Sequence, residues 1–86
     1  MLTIHKYDIS NPITLPASAT LLKLHYQGGS INAWYCLDTS EQETRVDKYI
    51  VIGTGWDITK LGEATYVDTL FDSGGFVWHI YKHHYE

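Results

Sequence analysis

The chain is poor in cysteine, in basic residues and in long apolar runs. Its 86 residues include one cysteine, and six lysines and arginines stand against ten acidic residues for a formal net charge of −4. A single thiol excludes an internal disulfide and fits a reducing compartment. The basic residues form no tract, which argues against direct binding to a nucleic-acid backbone. No apolar run approaches membrane-spanning length and no secretory leader pattern is present, so we expect a cytoplasmic protein with no membrane partner.

Aromatic rings, by contrast, are abundant. They make up 14% of the residues, with three tryptophans and seven tyrosines. A chain of this length forms a single domain, residues 1–86, whose thin stability margin is often supplemented by oligomerisation. In strand 31–38, alternation places Tyr35 and Leu37 on one face and Trp34 and Cys36 on the other, so neither face is polar. We therefore expect a partner to cover one sheet face, and the partner to be another copy of the chain.

Short apolar stretches alternate with glycine, proline, asparagine and aspartate about every ten residues, the spacing typical of an all-β domain. The pattern predicts a compact antiparallel sandwich or small barrel of five to six strands. Gly28-Gly29 predicts a hairpin over residues 20–38, and residues 73–75 predict a second hairpin between 65–72 and 76–85. Two prolines deny residues 10–16 a central position in a sheet. Asp57 and Gly62 suit the start and end of at most one short helical turn.

The stretch GTGWDITK, residues 53–60, follows the apolar run YIVI and has two interpretations. It is a phosphate-holding loop if the glycines let backbone N–H groups converge on an anion. It matches neither GxxxxGK[ST] nor GxGxxG, and no long helix follows, which favours a tight connection that needs glycine for positive φ. Trp56 keeps the first interpretation open, because an exposed indole can stack on a base or anchor an interface.

No catalytic or metal-binding pattern emerges from the remaining polar residues. Cys36 lies in mid-strand, which is typical of a buried structural thiol. His79 and His83 are roughly 13 Å apart in an extended chain, too far for one metal ion. The aspartates, Asp47 among them, have no acid/base spacing, and we interpret them as solvated charges at strand edges. We therefore expect no enzyme activity, no cofactor and no metal.

Five short motifs resemble a family of small uncharacterised proteins of bacteriophages and prophages: IHKYDI, ITLPASATLLKLHYQGG, AWYCLD, YIVIGTGWDI and GGFVWHIY. A Gly-Thr-Gly loop and a C-terminal Phe-Val-Trp-His are the clearest shared features. The resemblance covers nearly the whole chain and implies a phage origin and a compact β fold, with no catalytic residues to transfer. In an infected bacterial host, a small non-enzymatic phage protein of this kind suits counter-defence, by analogy of protein class.

From these observations we expect a homo-oligomeric protein that binds and sequesters a small nucleotide immune signal of the host. Two alternatives stay open: a protein-binding inhibitor of a host defence complex, of the anti-CRISPR kind, and a self-assembling phage structural or accessory protein. The predicted ligand contacts are rings for stacking, and glycine backbone and polar or cationic side chains for phosphate. They are Gly53, Thr54, Gly55, Trp56, Lys60, Arg45, Lys48, Trp34, Trp78 and His79.

Overall fold

A computed structural model describes residues 1–84, which form two antiparallel sheets. The seven strands are β1 (Leu2–Asp8), β2 (Ile13–Pro16), β3 (Thr20–Gln27), β4 (Ser30–Asp38), β5 (Thr44–Gly53), β6 (Ala64–Phe71) and β7 (Val77–His83). One sheet has the order β1-β4-β3 and the other the order β2-β5-β7-β6. The sheets pack face to face as an open sandwich, which confirms the predicted all-β class and selects the sandwich over the barrel. No stretch within residues 1–84 forms a helix capable of crossing a membrane.

Both predicted hairpins are present. β3 and β4 are joined at Gly28 and Gly29, whose φ angles of 62° and 86° only glycine adopts readily. β6 and β7 are joined by residues 72–76, with Gly75 at a φ of 85°. The predicted end of the last strand at residue 85 lies outside the described residues.

Two local predictions need correction. The proline segment forms a strand of its own, β2, so the described residues contain more than five to six strands; it lies at a sheet edge, where proline is tolerated. The helical turn predicted over residues 57–62 is wrong. Asp57 instead accepts the N–H of Thr59 at 2.8 Å, and the N–H of Leu61 donates to the carbonyl of Ile58 at 3.0 Å. These bonds close an Asx turn and a β-turn, because the segment is too short to propagate a helix.

The core lies between the sheets, on one of the two strand faces that alternation separates. In β4, Ala33, Tyr35 and Leu37 are buried, whereas Trp34 and Cys36 are half-buried on the outer face. The interpretation of Cys36 as a buried structural thiol therefore needs correction, because the residue is only half-buried. The complete buried apolar set is Ile9, Ile13, Leu15, Ala19, Leu24, Ala33, Tyr35, Leu37, Tyr49, Leu70 and Ile80.

A buried ionic network ties the two sheets together, and it overturns the interpretation of Asp47 as a solvated charge. Asp47 is 1% exposed. Arg45 donates to its two carboxylate oxygens at 3.0 and 3.1 Å, and the Lys82 ammonium lies 3.1 Å from Oδ1. From the other sheet, Tyr35 donates its hydroxyl to Asp47 at 2.8 Å and also bonds the Tyr49 hydroxyl. Alternation along β5 forces this burial, because Asp47 shares the core face with Tyr49.

The network keeps Asp47 ionised despite its burial. Burial alone would raise the pKa of Asp47, but the hydrogen bonds from Arg45, Tyr35 and Lys82 outweigh it and hold the pKa below its usual value. Burial, with the bonds to Tyr49 and Asp47, raises the pKa of Tyr35. The tyrosine therefore stays protonated as a donor. This network lies near the start of β5, at the opposite end of that strand from Gly53.

Candidate ligand-binding site

Three glycine-containing turns lie at one end of the sandwich, which we call the glycine end: residues 27–30, 53–56 and 71–77. In one sheet, the register brings Gln27 opposite Ser30 beside the end of β1. In the other, Gly53 lies opposite Trp78 at the start of β7.

A cavity of about 570 Å³, the intersheet cavity, opens between the two sheets at the glycine end. Its volume lies within the range of roughly 300–1,000 Å³ typical of small-molecule sites. Side chains from both sheets contribute apolar walls, two aromatic rings, two carboxylates and three hydroxyls, and no lysine or arginine. The lining residues are Asp8, Ile9, Ser10, Tyr26, Gly29, Ser30, Ile31, Val51, Asp72 and Trp78.

Trp78 is held in place by Asp72. The indole Nε1 donates to Oδ2 of Asp72 at 3.0 Å, while Oδ1 accepts the backbone N–H groups of Gly74 and Phe76 at 2.9 Å each. The bond from Trp78, followed by those from Phe76 and Gly74, lowers the pKa of Asp72. The half-buried indole also packs against the core, so its ring is presented at a set orientation.

Trp56 lies over the glycine turn and meets Trp78. The N–H of Trp56 donates to the carbonyl of Gly53 at 3.2 Å, and Gly55 has a φ of 88°, which together define a type II turn. A Cβ at Gly53 would lie 2.7 Å from the Trp56 indole, so only glycine admits the ring there. The two indoles contact edge to face, with centroids 6.0 Å apart and planes at 81°.

These rings form one side of a second depression, the aromatic cleft, of about 460 Å³. Phe76 completes the cluster, with its centroid 6.3 Å from that of Trp78. Trp56 and Phe76 are both exposed, so flat apolar ring surface faces solvent. The cleft is lined by Gly53, Thr54, Trp56, Gly75, Phe76, Val77 and Trp78. Trp78 therefore contributes to both the aromatic cleft and the intersheet cavity.

GTGWDITK thus contains a tight turn that seats an indole, the second of the two interpretations given above. The Trp56 N–H is bonded within the turn, and Thr54 bonds Nε2 of His79 through its hydroxyl at 2.7 Å. Lys60 is exposed and lines neither the intersheet cavity nor the aromatic cleft. A phosphate at this turn would meet glycine backbone and no lysine.

His79 lies in a chain of hydrogen bonds across the outer face of the four-stranded sheet. Its Nε2 bonds Thr54 and its Nδ1 bonds the Thr69 hydroxyl at 3.0 Å, and Thr69 in turn bonds the Tyr66 hydroxyl. Both ring nitrogens are thereby engaged, which fixes the imidazole beside Trp56 in a shallow cleft of about 250 Å³. In residues 1–84, no group of three or more histidine, cysteine or acidic side chains is placed to hold a metal ion.

The structure brings six of the predicted ligand contacts together and separates the other four. Gly53, Thr54, Gly55, Trp56, Trp78 and His79 surround the glycine turn. Trp34 lies on the outer face of the other sheet, where the Lys6 ammonium is 6.0 Å from its ring centroid. Arg45 is bound to Asp47, Lys48 lies opposite His83 near the start of β5, and Lys60 is in the following loop.

The glycine-end residues that sequence reasoning missed include Asp8, Tyr26, Asp72 and Phe76. Asp72 carried a usable signal, because an aspartate before Ser-Gly-Gly commonly accepts the backbone N–H groups of its own turn. That turn then brings its carboxylate to Trp78, six residues along the chain. No sequence signal identified Asp8 or Tyr26, because these residues reach the cavity only through the packing of one sheet on the other.

A protein-family model matches residues 1–86 of the chain, and the family is described as a domain of unknown function, DUF7352. The chain belongs to the DUF7352 family. The match covers every residue of the glycine end in this DUF7352 member, including both tryptophans of the cluster. Neither a search of the curated proteins nor a search of the solved structures found a match. Inferences about this DUF7352 protein therefore rest on its own residues.

Proposed function

We propose that this DUF7352 protein is a non-enzymatic binder that captures a small nucleotide at its glycine end. The observation that carries the proposal is the position of Trp78, a ring that is fixed by Asp72 and borders both the intersheet cavity and the aromatic cleft. A flat heteroaromatic ring on either side would stack on an indole that is already ordered. Such stacking is worth about 1–3 kcal/mol per base.

The charge of the intersheet cavity indicates which part of a nucleotide would enter. Asp8 and Asp72 are both carboxylates whose pKa is lowered, Asp8 by the backbone N–H and the hydroxyl of Ser10 and Asp72 by the Trp78 indole. Ionised carboxylates repel phosphate and accept hydrogen bonds from ribose hydroxyls or exocyclic amino groups. We therefore expect the nucleoside part inside and the phosphate toward solvent.

In the phage setting that the motif resemblance implies, such a protein would withhold a host nucleotide immune signal by stoichiometric capture in the bacterial cytoplasm. Capture requires affinity and no chemical step, so an aromatic site without a dedicated nucleophile is sufficient. A homo-oligomer would suit the protein, because apolar rings remain exposed on each copy.

The direct test combines thermal shift with ligand recovery. Purified protein is incubated with nucleosides, mononucleotides, cyclic nucleotides and ADP-ribose, melted, and the released ligand is identified by mass spectrometry. A ligand well above its Kd raises the melting temperature by mass action, and sequestration returns it intact. If no nucleotide or nucleoside raises the melting temperature, or if the ligand returns altered, nucleotide sequestration is wrong.

Two tryptophan variants localise the site. Trp56→Ala removes one side of the aromatic cleft, so a base stacked there would bind about 5- to 150-fold more weakly, the equivalent of one stacking contact, whereas a base held in the intersheet cavity would keep its affinity. Trp34→Ala is the matched control, because that half-buried indole lies on the other sheet. Equal binding by the two variants would place the ligand away from the aromatic cleft.

A protein-binding inhibitor of a host defence complex is the second candidate. The outer face of the four-stranded sheet favours it, because Phe71 is 71% exposed and Tyr66 and Val46 are exposed on the same face. Exposed aromatic residues of this kind are common anchors of protein interfaces. Val46→Asp, near the opposite end of β5 from Gly53, should abolish capture of the host complex and leave nucleotide binding unchanged, which separates the two candidates.

A further inference from the structure

The two sheets have four edge strands, and three of them carry features that prevent further strand pairing. β2 is four residues long and ends at Pro16. β3 shifts register between Leu21 and Lys23, and β6 between Tyr66 and Asp68. Short length, proline and bulges are the usual means by which proteins protect exposed sheet edges.

β1, the fourth edge strand, has none of these features. Its seven residues pair with β4 in unbroken register, from Leu2 opposite Asp38 to Asp8 opposite Asn32. Leu2 and Ile4 are 72% and 57% exposed on its outer face.

Lysine often protects an edge, but Lys6 points back over its own sheet. Its ammonium lies 6.0 Å from the ring centroid of Trp34 in β4 and 3.5 Å from Oε1 of Gln27 in β3. The charge is therefore directed away from the open side of β1, and the edge remains accessible to another strand.

The hydrogen-bonding pattern of β1 shows which of its backbone N–H and carbonyl groups face the open edge of the sheet. The carbonyl of Met1 accepts the N–H of Thr39 at 2.9 Å, and the N–H of Ile9 donates to the carbonyl of Ile31 at 3.1 Å. In an antiparallel ladder, alternate residues bond to the same neighbour. The odd-numbered residues of β1 therefore bond to β4, and the even-numbered ones turn their N–H and carbonyl groups to the open edge. Those residues are Leu2, Ile4, Lys6 and Asp8.

We propose that this edge binds β1 of a second copy of the chain, antiparallel, about a two-fold axis at His5. In that register Leu2 lies opposite Asp8 and Ile4 opposite Lys6, so all four open residues of each copy are paired. The two three-stranded sheets then become one continuous sheet of six strands with an isologous interface.

A second copy fits this edge in charge as well as in backbone pattern. β1 carries one cation, Lys6, and one anion, Asp8, so two copies meet there without net repulsion although each chain has a net charge of −4. The apolar side chains of Leu2 and Ile4 also gain cover from the opposing strand. Asp8 belongs to both proposals, through its side chain in the intersheet cavity and its backbone at the edge, but the strand pairing needs no ligand, so either proposal can fail alone.

The first test is the mass in solution. Sedimentation equilibrium of the full chain should give twice the chain mass of 9.9 kDa. Ile4→Lys places a charge on the paired edge and should give a monomer. Leu22→Lys, at an exposed position in the bulge of β3, is the matched control and should stay dimeric. A monomeric wild type, or an Ile4→Lys variant that remains dimeric, overturns the proposal.

The second test is the register. His5 would face its own copy at a position that does not hydrogen-bond across the interface, where opposed Cα atoms are about 4.5 Å apart and suit a disulfide. His5→Cys in a Cys36→Ser background should therefore cross-link under mild oxidation. Thr3→Cys in the same background should not, because Thr3 lies opposite Tyr7, roughly 13 Å along the strand from its counterpart. A dimer in which His5→Cys fails to cross-link, or Thr3→Cys cross-links equally well, overturns the pairing.

Discussion

Replacing Asp47 by asparagine keeps the size of the side chain and removes its charge from the centre of the ionic network. Arg45 and Lys82 would then face a neutral amide, and the Tyr35 hydroxyl would lose a charged acceptor. Since Tyr35 belongs to one sheet and Asp47 to the other, the change weakens a contact that fixes how the two layers pack.

The size of the effect follows from the burial of each partner. Removing one member of a buried ion pair costs about 3–5 kcal/mol. The side chains of Arg45 and Lys82 are 31% and 33% exposed and can turn toward water, so we expect the lower end, about 3 kcal/mol. A domain of this length is stable by roughly 4–13 kcal/mol, and its melting temperature should fall by about 12–24 °C.

Urea unfolding followed by tryptophan fluorescence measures the loss, and an unchanged m-value shows that the unfolding transition is comparable. Asp38→Asn is the control, because the Asp38 carboxylate is half exposed and pairs with the terminal amine at 3.1 Å. A loss below about 1 kcal/mol for Asp47→Asn, or one equal to that of Asp38→Asn, would refute the assignment of the network as a stabilising buried pair.

Two further predictions concern pH and the glycine turn. Because the pKa of Asp47 is lower in the folded protein than in the unfolded chain, the stability that its charge contributes should be complete above about pH 4 and lost as pH falls through the folded pKa. Thermal unfolding of Asp47→Asn at acid pH should lack this part of the loss of stability. Gly53→Ala should displace the Trp56 indole and shift its emission, with no such shift in a Trp56→Ala background. Gly55→Ala should instead lower the free energy of unfolding in urea by about 1–2 kcal/mol, because the φ of 88° at this position disfavours alanine. Equal changes in emission and in stability for the two variants would contradict these separate roles of Gly53 and Gly55.

The sequence by itself determined the local architecture of this protein. The turns at Gly28-Gly29 and at residues 73–75 are encoded by the residues that occupy them, because only glycine adopts a positive φ angle at low energetic cost. The proline segment was likewise confined to an edge by its missing N–H groups. Residues 57–62 show the limit of such signals, since a capping aspartate is equally suited to an Asx turn.

Tertiary structure alone decided which side chains meet. Alternation separates the two faces of a strand but does not say which strand lies beside it, so Trp56 joins Trp78 only because β5 pairs with β7 and brings Gly53 opposite Trp78. Trp34 lies on the other sheet because β4 pairs with β1 and β3. Alternation places Asp47 on the core face beside Arg45, but only the packing of the sheets brings Tyr35 and Lys82 to it, and their bonds help offset its desolvation. Contacts between residues far apart in the chain depend on the packing of whole sheets, and no local pattern encodes that packing.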